Sequence, residues 1–155
     1  MEKCRMKKFM TVVALLLAAG FAQAGNDGLI TKKSAHSVKV TLDRLEAALE
    51  KNGIGVALRW NHSEKGKEVD IPLRPTELLL FGNPKLGTHM FTSNQTAGID
   101  LPLKALAWED AKGQVWLTYN DPAYIAKRHR IGDRDDIVAK MSKALAGLSD
   151  AAIKP

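Results

Sequence analysis

The chain has 155 residues, with 23 Lys/Arg against 17 Asp/Glu, four His and a single Cys. That length fits one domain with enough chain for a hydrophobic core, and one cysteine excludes an internal disulfide framework. The formal charge of +6 comes without a basic run interleaved with aromatics, so nucleic acid is not an expected partner.

In chain order, residues 1–24 read as a cleavable secretory signal peptide. Lys3, Arg5, Lys7 and Lys8 form a positive start, Phe9 to Phe21 an uncharged apolar run, and Ala22-Gln23-Ala24 the small-x-small cleavage pattern. The run falls short of the roughly 20 residues that span a bilayer. Cys4 precedes it, so it is misplaced for a lipid anchor. Cleavage after Ala24 takes away four of the 23 basic and one of the 17 acidic residues, leaving +3. The expectation is a thiol-free domain over residues 25–155, periplasmic or secreted, with no stable membrane anchor after cleavage.

Leu29 to Ala35 is a first strand. Ser37 is placed to cap a helix whose apolar stripe is Val38, Leu42, Leu45 and Leu49, and Asn52-Gly53 ends it. Ile54, Val56, Leu58 and Trp60 alternate with smaller or polar residues, the pattern of a strand with one buried face. His62 to Asp70 is a polar loop or short helix. Glu77 to Phe81 is apolar on both faces and reads as a central strand. Asn83 caps and Pro84 begins a short helix toward Ser93.

Gly98 to Pro102 returns the chain to the sheet. Leu103 to Trp108 and Val115 to Tyr119 then form a hairpin around Asp110-Ala111-Lys112-Gly113. Asn120-Asp121-Pro122 repeats the device of strand, polar cap and proline, a hint of duplicated halves. The basic cluster Lys127, Arg128, His129 and Arg130 reads as a solvated helix end. Asp133 caps a last helix, about 133–149, with Ile137, Met141, Leu145 and Leu148 on one side and a fraying tail from Ala151. The order is β-α-β-β-(α)-β-β-α: an α+β single compact domain, mainly antiparallel, with helices on one side.

The segments Leu79-Leu80-Phe81-Gly82-Asn83-Pro84-Lys85, Gly98-Ile99-Asp100-Leu101-Pro102, Gly113-Gln114-Val115-Trp116 and Tyr119-Asn120-Asp121-Pro122-Ala123-Tyr124, in this order and spacing, resemble the domain-of-unknown-function 302 family over about residues 29–129. The resemblance implies a TATA-binding-protein-like arrangement of one sheet and its helices, often as a homodimer. It implies no reaction. The chain departs from the family at His89-Met90, which follows Gly87-Thr88.

Two strand-to-helix turns carry the candidate site. In the first, Asn83, Lys85 and Thr88 combine a helix start, a cation and nearby glycines, a setting suited to a small anionic ligand. In the second, Asn120, Asp121 and Tyr124 offer acceptor and donor groups. Should the turns share a cleft, the leading expectation is a non-catalytic binding module, or a homodimer formed through the sheet. Each turn also reads as an ordinary cap. The alternatives are a periplasmic enzyme using Asp121 and Tyr124 in acid–base work opposite Lys85, and a copper-binding protein using His62, His89 and Met90. No short-spaced metal motif and no cofactor fingerprint occurs, so neither metal nor cofactor is assigned. Trp60, Trp108 and Trp116 lie on strands, suited to packing, a pocket or a dimer face.

Overall fold

The computed structural model describes residues 23–24 and 27–155, with no side-chain description at 23 and 24. The signal-peptide reading falls on residues 1–24 and so lies almost wholly outside the described set. The elements are β1 (Gln23–Ala24), β2 (Leu29–Lys33), α1 (Val38–Lys51), β3 (Gly55–Asn61), α2 (His62–Lys67), β4 (Thr76–Gly82), α3 (Pro84–Ser93), a 3-10 turn (Gln95–Ile99), β5 (Leu103–Glu109), β6 (Val115–Asn120), α4 (Pro122–Arg128) and α5 (Asp135–Ile153).

Local chemistry sets most of these boundaries. The Ser37 hydroxyl accepts the Val40 N–H and starts α1. Gly53, at φ +65°, takes the left-handed turn after α1 that a side chain would resist. Asn83 and Asp121 each cap a helix whose first residue is proline. Gly113, at φ +77°, closes the β5–β6 hairpin.

The six strands form one sheet in the order β1-β2-β6-β5-β4-β3, every neighbour antiparallel. The long helices α1 and α5 cover one face. Leu42, Leu45 and Leu49 of α1 meet Leu79, Phe81, Ala107 and Leu117 of the sheet and Leu145 and Leu148 of α5. A second cluster of Met90, Ala97, Ala126, Ile137 and Met141 ties α3 and α4 to the first half of α5. The sheet is therefore α+β with its main helices on one side, as expected.

Four expectations need correction. First, the alternating face of β3 is not buried: Val56, Leu58 and Trp60 are 42%, 45% and 41% exposed. β3 is an edge strand, and a bulge between Val56 and Leu58 breaks the alternation, since an extra residue re-aims those after it. Second, Glu77–Phe81 lies inside the sheet, but only one of its faces is covered. Leu79 and Phe81 are buried beneath the helices, while Leu78 and Leu80 remain partly exposed on the other face.

Third, Asp133 does not cap the last helix. That helix starts at Asp135 with no side-chain cap, while the Asp133 carboxylate takes Ser93 and Arg134. Fourth, the tail does not fray. Ala152 is fully buried, and the chain end is tied by Arg44 Nη2 to the Ala151 and Lys154 carbonyls and by His36 Nε2 to the Lys154 carbonyl.

Candidate functional site

Strands β4 and β6 flank β5 and run antiparallel to it, so they run parallel to each other. Both leave the sheet at the same end. Two strand spacings put the Asn83 and Asp121 turns about 10 Å apart. The two turns meet different surroundings.

The first turn borders a cavity of about 530 Å³. The end of β4, the Asn83 turn and the first half of α3 form one wall, Ile54 to Ala57 another. Leu101 to Leu103 close the side, and Met141, Ala144, Leu145 and Leu148 of α5 form the far wall. Every lining side chain is apolar or a glycine except Asn83 and Thr88. A largely apolar concavity of this size with a few polar groups is the usual form of a small-molecule site.

Asn83 Oδ1 accepts the Lys85 N–H at 2.9 Å. That bond engages its side-chain oxygen and leaves the amide NH₂ out of the cap. Lys85 is exposed in the first turn of α3, where no acidic residue stands. A shallow depression adjoins the cavity through Ile54, Gly55 and Val56 and carries Glu46 and Glu50. Gly55 pairs with Gly82, so the glutamate depression and the Asn83 turn are neighbours at one end of the sheet.

The second turn lines no part of that cavity. Asn120 pairs with Leu29 in the sheet. Asp121 accepts the Ala123 N–H at 3.0 Å, and its own N–H donates to the Gly28 carbonyl at 2.8 Å. The ring of Tyr124 lies directly over the backbone of Gly28. These bonds make the second turn a helix cap sealed by the chain that leads into β2. Asn83 and Thr88 come together at the cavity. Asn120, Asp121 and Tyr124 stay apart from them, which gives Asp121 and Tyr124 no common pocket with Lys85.

The copper alternative is corrected by placement. His89 is exposed on α3, whereas Met90 is fully buried in the cluster with Ala97 and Ala126. His62 follows β3 at the end of the sheet away from α3, since Gly55 pairs with Gly82 and Asn61 with Glu77. Six residues of extended chain separate those ends by about 20 Å. The three groups cannot meet on one ion.

Two polar clusters were missed by sequence reading. His129 is only 7% exposed. Its Nε2 lies 2.7 Å from Asp100 Oδ2 and its Nδ1 2.9 Å from Thr96 Oγ1, while Asn94 Nδ2 donates to its carbonyl. The residue read as part of a solvated helix end is instead a buried tie between α4 and the 3-10 turn. Arg59, the second case, bonds Asp43, Glu46 and Glu77 at 2.7–3.0 Å and closes α1 over β3. Its charge is held more firmly than usual: burial works against it, but hydrogen bonds to Asp43 and Glu77 prevail. Neither cluster had a local signal, because the partners are 13 to 35 residues distant.

The other face of the sheet carries apolar rows set by register. Trp60, Leu78, Leu106 and Thr118 lie side by side across four strands, as do Leu58 and Leu80. Trp108 and Trp116 pair across β5 and β6 with ring centroids 6.4 Å apart.

Comparison with known proteins gives three findings. The family model described as "Domain of unknown function DUF302" matches residues 30–148. Proteins named "Fluoride-specific ion channel FluC 1", from Brucella suis and from Brucella abortus, are each 46% identical over 115 residues. Those residues are 74% of this chain but only 45% and 43% of the respective relatives, so the chain spans less than half their length. The crystal structure of an uncharacterized conserved DUF302 protein from Bacillus stearothermophilus has the same fold: TM-score 0.73, 23% identity, covering 81% of this chain and 98% of that one.

Proposed function

The chain belongs to the DUF302 family, and on that footing we propose that it is a non-catalytic binding module, exported from the cytoplasm, that takes a small ligand at the cavity beside Asn83. One observation carries the reading: a cavity of about 530 Å³ whose only polar lining, among the described residues, is Asn83 and Thr88. That lining has acceptors and donors for orienting a ligand but no nucleophile paired with a base, which a hydrolytic or transfer site needs. A thermal-shift screen of the mature protein tests it, because binding to the folded state raises the melting temperature. A screen in which no small molecule raises it, or in which Asn83→Ala leaves every response unchanged, would sink the assignment.

A second reading concerns the bare sheet face. The apolar rows through Trp60, Leu78 and Leu106 and through Leu58 and Leu80 support a homodimer in which two such faces meet. Contiguous exposed apolar side chains are a usual mark of association. The channel name belongs to the whole of the Brucella proteins. We take the shared segment, under half of each, as a domain that accompanies the channel in those relatives, and assign no ion conduction to this chain.

A further inference from the structure

We infer that the cavity holds a single-chain carboxylate amphiphile, of the size of a medium-chain fatty acid, with its chain between α3 and α5 and its carboxylate at Asn83 and Lys85. This deepens the binding reading above and rests on it.

The volume sets the size. At about 30 Å³ per water-sized group, 530 Å³ takes on the order of 15 non-hydrogen atoms. The lining sets the body of the ligand. Phe81, Leu86, Phe91, Met141 and Leu148 offer nothing to a sugar, nucleotide or peptide, whose polar groups would be buried without partners.

Gly87 is the second observation. It sits inside α3, where glycine is disfavoured by about 1 kcal/mol relative to alanine. It is not needed for conformation, since its φ is negative, and a Cβ there would meet nothing within 4 Å. It faces the cavity. The physical effect of a bare helix position here is to keep the space open.

Charge sets the head group. Glu46 and Glu50 stand at the depression beside Ile54 to Val56, with Glu46 already paired to Arg59 at 3.0 Å. At the Asn83 turn, beside the cavity, exposed Lys85 supplies a cation and the first turn of α3 carries no acid. A carboxylate placed there gains charge-assisted bonds.

Isothermal titration and thermal melting of the purified protein with sodium decanoate, decanol and sodium acetate test this. Decanoate is expected to bind and to raise the melting temperature, and acetate to do neither. Gly87→Phe fills the cavity from a position with open space, so it should fold, melt no lower than the parent and lose decanoate affinity at least tenfold. Ala144→Phe, on the far wall, should act likewise. Lys85→Ala should weaken decanoate severalfold and leave decanol unchanged. Decanoate affinity that survives both phenylalanine variants puts the chain elsewhere, for instance on the sheet face, and overturns the inference. Equal sensitivity of decanol and decanoate to Lys85→Ala overturns the head-group placement. No decanoate binding, together with a different small molecule whose melting shift is lost in Gly87→Phe, overturns the amphiphile while the binding reading stands.

Discussion

A Cβ on Gly28 would run into the ring carbons of Tyr124, and the backbone there sits at φ +77°. Gly28→Ala therefore meets both a strained conformation and a clash. It should lower stability by ~2–3 kcal/mol in chemical denaturation. Gly113→Ala, with a similar φ and open space around it, should cost only about 1 kcal/mol. Equal losses would mean that the Tyr124 ring yields freely. Arg59 offers a second test. Removing it leaves Glu77, 9% exposed, without its cation, so Arg59→Ala should destabilise by roughly 2–3 kcal/mol. Adding Glu77→Gln should restore part of that loss, read as the coupling in a double-mutant cycle. At this scale the caps were legible in advance, since Ser37, Asn83 and Asp121 act within three residues of themselves. Arg59 and His129 were not, because what they bind is brought near only by folding.

At the scale of elements, Lys32 of β2 ties the sheet to α5. Its Nζ reaches Asp150 Oδ1 and Ser149 Oγ at 2.7 Å each and the Ala146 carbonyl at 3.2 Å. The Lys32 hydrogen bond holds the Asp150 carboxyl below its ordinary value, against the opposing effect of burial. The sign follows: a carboxyl depressed in the folded state stabilises it above the unfolded value of about 3.9, and that contribution is lost as pH falls through the folded value. Asp150→Asn should thus cost stability at neutral pH and approach the parent toward about pH 2. Urea midpoints at both ends of that range decide it; a gap that does not close on acidification rules out the linkage. Deleting residues 152–155 should cost ~2 kcal/mol, since it removes a fully buried Ala152, the His36 and Arg44 bonds to the Lys154 carbonyl, and the bond from the Ala35 N–H to the Ile153 carbonyl. The stripe Ile137–Leu148 made this helix legible, but not its end. The tail is held by His36 and Arg44, which periodicity does not report. The face of β3 was misread for a related reason: alternation says that two faces differ, not which one a helix covers.

For the whole molecule, half of the cavity was visible in sequence. The Asn83 turn stood out as a polar cap with glycines. Its far wall on α5, with Met141, Ala144 and Leu148, is more than 50 residues onward; Met141 and Leu148 read as one side of an ordinary helix, and Ala144 carried no signal. Shape, rather than any motif, turns them into a container. The dimer reading belongs here too. Trp60→Lys and Leu58→Lys each place a charge on the bare face at a position 41–45% exposed, so they should leave the melting temperature near the parent's while halving the mass in light scattering. A parent that is already monomeric removes that reading. Export has its own check: protein recovered from outside the cytoplasm should begin at Gly25. An amino terminus at Met1 would overturn the signal-peptide expectation.

The Val56–Leu58 bulge bears on how copies of this chain can meet. A regular outer strand is an invitation to pile up: its free amides and carbonyls would let the next molecule zip on, and the next, into a fibre. Here the hydrogen-bond rhythm of β3 is interrupted midway. Growth along that border is frustrated.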